Sequence, residues 1–172
     1  MGCFNSADVS EETQKGVTKI KPYKGKEQQG VVELKKNYII NAKTKVLGAG
    51  QFGRVFMTCS TKDETHKVAI KVLDKHKLEE HIDQLIQEVN ILYKLDHPNI
   101  VNYFETYDDK KYIYLVMEYV KGMSITEACD EQRLNTSQRL ELLVKVCDAV
   151  QHAHIKGIIH RDLKPSNILV SI

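Results

Sequence analysis

"KTKVLGAGQFGRVFMTCS", Lys43 to Ser60, reads as strand, glycine turn, strand. Val46 and Leu47 lead in, and Arg54 to Thr58 lead out through β-branched and aromatic residues. Gly48, Gly50 and Gly53 make G-x-G-x-x-G, followed by Val55. Glycine suits such a turn because it lets backbone N–H groups approach phosphate oxygens with no Cβ in the way. Two phosphate-binding readings fail on the surroundings. A dinucleotide fingerprint opens a helix after its glycines; here a strand follows, although Asp74 lies 21 residues past Gly53 and meets the acidic criterion. A Walker loop shares the spacing of Gly48 and Gly53, but Arg54 stands in the lysine position and Val55 in the Ser/Thr position.

Downstream, "HKVAIKVLD" (66–74) is a short strand in which Lys71 interrupts an apolar run between Ala69, Ile70 and Val72. "HKLEEHIDQLIQEVNILYKL" (76–95) is helical by period, with Leu78, Ile82, Leu85, Ile86, Val89 and Leu92 three or four apart. Glu88, three after Leu85 and four before Leu92, projects from that apolar stripe. A carboxylate there calls for a cation, and Lys71 is the simplest candidate. The residues alone leave two alternatives open: Lys71 facing solvent by strand alternation, and Glu88 bordering the stripe and reaching water.

"VNYFETYDDKKYIYLVMEYV" (101–120) reads as two strands around an Asp108-Asp109-Lys110 turn. A helix is expected over about 136–156, with Leu140, Leu143, Val144, Cys147 and Val150 on one face and Gly157 as its stop signal. "IIHRDLKPSN" (158–167) follows, carrying Asp162, Lys164 and Asn167. His152, His154 and His160 read as surface or packing histidines; no cysteine joins them to suggest zinc.

From about Lys43 to the last residue the sequence resembles the protein-kinase family. The signatures stand in order: G-x-G-x-x-G-x-V at 48–55, V-A-I-K at 68–71, a helix glutamate at 88, and H-R-D-L-K-P-x-N at 160–167. The resemblance implies an α+β fold, with a complete small lobe (an antiparallel five-stranded sheet plus one helix) and a truncated, mainly helical large lobe. It also implies MgATP as cofactor and a protein substrate. The loop from Leu47 through Ala49, Gln51, Phe52 and Arg54 to Val55 would cover the phosphates, Lys71 would hold the α and β phosphates, and Glu88 would orient that lysine. Met117 matches the gatekeeper, Glu118 to Val120 the backbone edge facing adenine, and Val55, Ala69 and Leu169 the apolar positions around it; core packing explains those three equally well. Ser124 stands where many members place the glutamate of a Gly-Gly-Glu segment that contacts ribose. Asp162 is the expected base for the substrate hydroxyl, Asn167 a Mg²⁺ ligand, and Lys164, as in the Ser/Thr branch, a contact to the transferred phosphate. Arg161 resembles the arginine that pairs with a phosphorylated activation segment.

D-F-G and A-P-E do not occur, and only Ile168 to Ile172 follow Asn167. Two readings follow from this. One is the N-terminal part of an ATP-dependent Ser/Thr kinase, inactive as these 172 residues alone. The other is a non-catalytic, lipid-anchored nucleotide- or partner-binding module. The expected large-lobe helices carry an apolar face with little left to pack against.

Composition supports a globular chain: 42% hydrophobic, 28% charged, three prolines. Four cysteines without a C-x-x-C pair favour a reduced, intracellular setting, with neither disulfides nor a cysteine zinc site. Residues 1–36 hold seven Lys against five acids, and Lys15 to Lys26 contains five lysines and no acid. This is the pattern of a flexible basic tail, expected over 1–36, ahead of a small lobe over 37–120 and the start of a large lobe over 121–172. "MGCFNS" (1–6) fits myristoylation at Gly2 with palmitoylation at Cys3. One acyl chain binds membrane marginally, and a second chain or a basic segment makes the anchor stable. A peripheral position on the cytosolic face of a membrane is therefore expected, against the inner leaflet, with no nucleic-acid partner. Acylation joined to this kinase type looks like the calcium-dependent protein kinases, and calmodulin-dependent kinases fit almost as well. No EF-hand loop occurs here, so calcium control would reside in sequence outside these residues.

Overall fold

A computed structural model of the chain describes residues 4–6, 30–41, 44–50, 53–78 and 81–171, without the side chains of 4–6, 84, 87 and 88. Gly2, Cys3, Gln51 and Phe52, and most of the expected tail, lie outside these. The chain divides into two compact units. One includes the described residues from 30 to 93 and 103 to 119; the other takes 4–6, 94–102 and 120–171.

The first unit is an antiparallel five-stranded sheet in the order β2-β3-β4-β6-β5. Its strands are β2 (Lys45–Gly50), β3 (Gly53–Cys59), β4 (Lys67–Asp74), β5 (Tyr103–Asp108) and β6 (Tyr112–Glu118). Helices α1 (Gly30–Asn37), α2 (Lys75–Leu78) and α3 (Ile82–Leu92) accompany it. β4 lies in the middle, and Val68, Ala69 and Ile70 are buried in succession because both sheet faces are covered. Side chains alternate between two cores. Leu73, Ile113 and Leu115 pack with Leu78 and with Val89, Leu85 and Ile86 of α3. Val68, Ile70, Tyr114 and Val116, with Tyr107 of β5, pack on the opposite face against Leu34 and Tyr38.

That second cover corrects two expectations. Residues 30–36 are helix and not tail, and α1 and α2 join the single expected helix. Leu34 is fully buried, while Lys35 and Lys36, which read as tail charge, point outward from the same helix. Gly30 adopts φ +42°, and a Cβ there would lie 2.3 Å from the Asp109 Cβ. Glycine thus lets the β5–β6 turn close over the helix start, where the Asp109 carboxylate accepts the Val31 N–H. At the far end Asn37 Nδ2 donates to Tyr107 Oη (2.8 Å), Thr61 Oγ1 donates to the Lys36 carbonyl (2.7 Å), and the Tyr38 hydroxyl donates to Glu105. Burial, reinforced by Glu105, pushes the Tyr38 phenol far above its ordinary value. The continuous helix read over 76–95 is two segments, α2 and α3, with 79 and 80 outside the described residues.

In the second unit, β7 (Gly122–Ser124), β8 (Ile168–Ser171) and β1 (Phe4–Ser6) form a three-stranded sheet in the order β1-β8-β7, with β1 parallel to β8 and β7 antiparallel. Two helices follow β7, α4 (Ile125–Asp130) and α5 (Thr136–Ile155), and each starts on a capping box: Ser124 with Glu127, and Asn135 with Gln138. α5 ends where Gly157 takes φ +73° and the Ile158 N–H donates back to the Ala153 carbonyl at 2.9 Å. Ala128, Leu134, Leu142 and Val170 form the core. The apolar face read for α5 is largely uncovered: Leu140, Leu143 and Val144 are exposed, whereas Leu142, Ala149 and Ala153 are buried.

Candidate active site

The expected site residues fall into two sets, one in each unit. In the sheet unit, Gly48 pairs with Val55, Ala49 with Arg54 and Gly50 with Gly53, which folds the glycine segment into a hairpin. A bulge between Val46 and Gly48 accommodates Leu47. The three glycines are constrained differently. A Cβ on Gly53 would stand 1.8 Å from the Val72 carbonyl oxygen, so the neighbouring strand admits nothing larger. At Gly48 and Gly50 a Cβ would meet nothing within 4 Å, and their φ angles are ordinary. The protein itself gives these two no reason to be glycine.

Paired residues of an antiparallel sheet share a face, and the register sets the rest of this half. Val55 pairs with Lys71 and Lys71 with Leu115; Met57 pairs with Ala69 and Ala69 with Met117. Val55, Ala69, Lys71 and Met117 therefore lie on one face. Leu115 and Met117 pack with the apolar residues of α3, so this is the face that α3 covers. Glu88 is in α3, and its side chain lies outside the described set. Lys71 is half-buried on β4, which removes the alternative of a lysine pointing to open solvent. Glu118 ends β6, and Val120 begins the other unit; both are half-buried.

In the second unit the residues 160–167 form a tight cluster. Lys164 Nζ is 3.0 Å from Asp162 Oδ1, and Asn167 Nδ2 donates to Asp162 Oδ2 (2.9 Å) and to the Asp162 carbonyl (2.8 Å). Lys164 and then Asn167 hold the Asp162 carboxyl below its usual range, so it is ionised at neutral pH. Arg161 takes φ +61°, a left-handed conformation that costs a non-glycine residue about 1–3 kcal/mol. The Asp162 N–H donates across this corner to His160 Nδ1 at 3.2 Å. The sequence reading places His160 at the head of H-R-D-L-K-P-x-N and as a surface or packing histidine, without this acceptor role. Asn167 opens onto β8 from a short 3₁₀ turn, Pro165–Asn167, and β8 carries half-buried Leu169.

The Asn167 donor is spent on Asp162, which leaves its Oδ1, an oxygen of the kind Mg²⁺ takes. Mg²⁺ ordinarily completes its shell with phosphates and water, so one amide oxygen beside a carboxylate fits part of such a site. Among the described residues no group of three or more His, Cys, Asp and Glu side chains could hold a metal ion by itself. Ser124 is buried and caps α4, its hydroxyl accepting the Glu127 N–H at 3.2 Å; no carboxylate occupies that position. His152 stacks on His97 with centroids 4.9 Å apart, and His97 Nε2 lies 3.1 Å from Asp148 Oδ2.

Comparison with known proteins agrees with this arrangement. Residues 41–172 match the protein kinase domain family. Calcium/calmodulin-dependent protein kinase type 1 of Macrobrachium nipponense is 34% identical over 158 residues, which are 91% of this chain and 45% of that protein. The protein of the same name from Caenorhabditis briggsae is 42% identical over 125 residues, 72% of this chain and 35% of its own length. The probable serine/threonine-protein kinase fhkC of Dictyostelium discoideum is 37% identical over 131 residues, 74% and 22% respectively. The chain spans less than half the length of these relatives.

Proposed function

Since the chain belongs to the protein kinase domain family, we propose that it is the nucleotide-binding lobe and catalytic loop of an ATP-dependent protein serine/threonine kinase. One observation carries the nucleotide half: Gly48 and Gly50 leave open space over the hairpin where nothing in the protein needs it. Backbone N–H groups reach phosphate oxygens there, and Lys71 supplies the cation from the α3 face of the sheet. The catalytic half is the ionised Asp162. It takes the proton of a serine or threonine hydroxyl as the γ-phosphoryl leaves ATP, while Lys164 offsets charge on the transferred group and Asn167 holds Mg²⁺. Mg²⁺ held there would supply neutralisation of the charge developing on the phosphates, with the Asn167 Oδ1 as its ligand from this chain.

In a working kinase the D-F-G aspartate also holds Mg²⁺; these residues supply the glycine hairpin, Lys71, Asp162, Lys164 and Asn167. The uncovered α5 face favours a longer catalytic form over a self-sufficient binding module. Titration of the chain with MgATP tests the nucleotide reading: saturable binding that Lys71→Met abolishes is expected, and binding indifferent to that change ends it. Sequencing the transcript beyond Ile172 tests the longer form, which requires an in-frame D-F-G within about 20 residues of Asn167.

The tail adds a cytosolic membrane address through acyl groups on Gly2 and Cys3 and the lysines of 15–26. Incorporation of labelled myristate into the wild-type chain and not into Gly2→Ala is the expected result.

A further inference from the structure

The β5–β6 turn and the outer face of α1 make one cationic corner. Val32, Lys35 and Lys36 lie on the exposed side of α1, with Val32 63% accessible. Lys110 and Lys111 are exposed on the turn whose Asp109 closes over the start of the same helix. The acids nearby are engaged within the fold: Asp108 with Lys75, Glu105 with Tyr38, and Asp109 with the Lys111 and Tyr112 N–H groups and the Tyr114 hydroxyl. Asp74 acts on Lys111, whose Nζ lies 5.1 Å from the Tyr112 ring centroid, and Glu33 turns outward to Lys36 at 2.9 Å. Lys35 and Lys36 suit the C-terminal end of a helix, whereas Lys110 stands on the turn that closes over its N-terminal end, where positive charge is unfavourable.

We propose that this corner is a docking surface for an anionic lipid bilayer, with Val32 entering the headgroup boundary and the four lysines facing acidic headgroups. The described chain resumes at Gly30, so the segment holding the lysines of 15–26 joins the fold at this corner. Tail and corner would then bind the same surface, and because α1 is fastened at both ends the bilayer orients the sheet unit as well as tethering it. The inference rests on the membrane address proposed for the tail, and it does not require the acyl chains.

The test uses the full 172-residue chain carrying Gly2→Ala, which cannot be myristoylated, so a failure of acylation and a failure of docking are read separately. Partition onto phosphatidylcholine vesicles with and without phosphatidylserine is measured at low and high salt. Binding should require phosphatidylserine, weaken with salt, and fall about fivefold for each lysine neutralised in Lys110→Gln/Lys111→Gln and Lys35→Gln/Lys36→Gln. Lys110→Gln alone guards against misfolding, because removing that cation near a helix N-terminus should keep or raise the melting midpoint while affinity drops. Equal partition of the parent and the four-lysine variant would overturn the proposal. So would equal binding to vesicles with and without phosphatidylserine, which is adhesion through exposed apolar side chains.

Discussion

A methyl group added at Gly53 would sit 1.8 Å from the Val72 carbonyl oxygen, whereas one at Gly48 or Gly50 would meet nothing within 4 Å. Gly53→Ala should therefore act on the fold and lower stability by roughly 2 kcal/mol or more. Gly48→Ala should leave the melting midpoint unchanged or slightly raised, since alanine reduces unfolded-chain freedom, and should weaken MgATP binding. Thermal melts and nucleotide titrations on the two variants would separate these roles; a Gly48→Ala chain binding MgATP normally would count against phosphate approach at that position. Asp162 invites the complementary experiment in the proposed full-length form. Asp162→Asn keeps the shape and removes the acceptor charge, so phosphate transfer should vanish while MgATP affinity is retained. Loss of both together would remove Asp162 from the base role. The expectation for these residues came from the sequence, because each chemical task demands a residue type at a fixed spacing. The division of labour among the glycines was not, since it depends on which strand lies beside each one. The His160 acceptor was equally hidden, because it exists only once Arg161 turns left-handed.

At the scale of elements, the strands of the five-stranded sheet were within reach of sequence reasoning and α1 was not. Strand alternation and turn residues mark β2 to β6. In contrast, α1 has eight residues, too few to be helical alone, and its lysines continue the charge pattern of the tail. Only the spacing of Val31, Leu34 and Tyr38 hints at a buried stripe. Its helicity comes from packing Leu34 into the sheet and from the Asp109 cap. Removing residues 1–40 should therefore lower the melting midpoint steeply by uncovering Val68, Ile70 and Val116. Asp109→Ala should cost about 1–2 kcal/mol, as loss of a helix cap does. The cap also gives a pH signature. Burial raises the Asp109 carboxyl, but hydrogen bonds from Tyr112, Lys111, Tyr114 and Val31 outweigh it and leave the carboxyl below its ordinary value. A depressed folded value contributes stability above the unfolded value and loses it as pH falls through the folded one. The difference in melting midpoint between wild type and Asp109→Ala should accordingly hold at neutral pH and shrink below about pH 4. A difference constant down to pH 2 would mean that the charge of the carboxylate plays no part.

Across the whole molecule, the two units stand on unequal cores. The sheet unit is packed on both faces. The catalytic-loop unit has a core cluster of Ala128, Leu134, Leu142 and Val170, while Leu140, Leu143, Val144, Ile155 and Ile159 of α5 and its exit face water. An apolar row of that kind favours association and withholds burial free energy from the helix that carries it. α5 is nonetheless well formed locally, with a capping box at its start and a glycine stop at its end. Local signals thus fix where the helix begins and ends without fixing how stable it is. Hydrogen exchange should show this as slow amides in β3, β4 and β6 and faster ones across 136–155, with the two sets exchanging by separate openings. Leu140→Glu with Val144→Gln should suppress dye binding and self-association while leaving α5 exchange unchanged, because neither side chain has a buried contact to lose. Protection across 136–155 equal to that of β4, moving with it on destabilisation, would instead make the chain one cooperative unit and require a partner for the apolar row in solution.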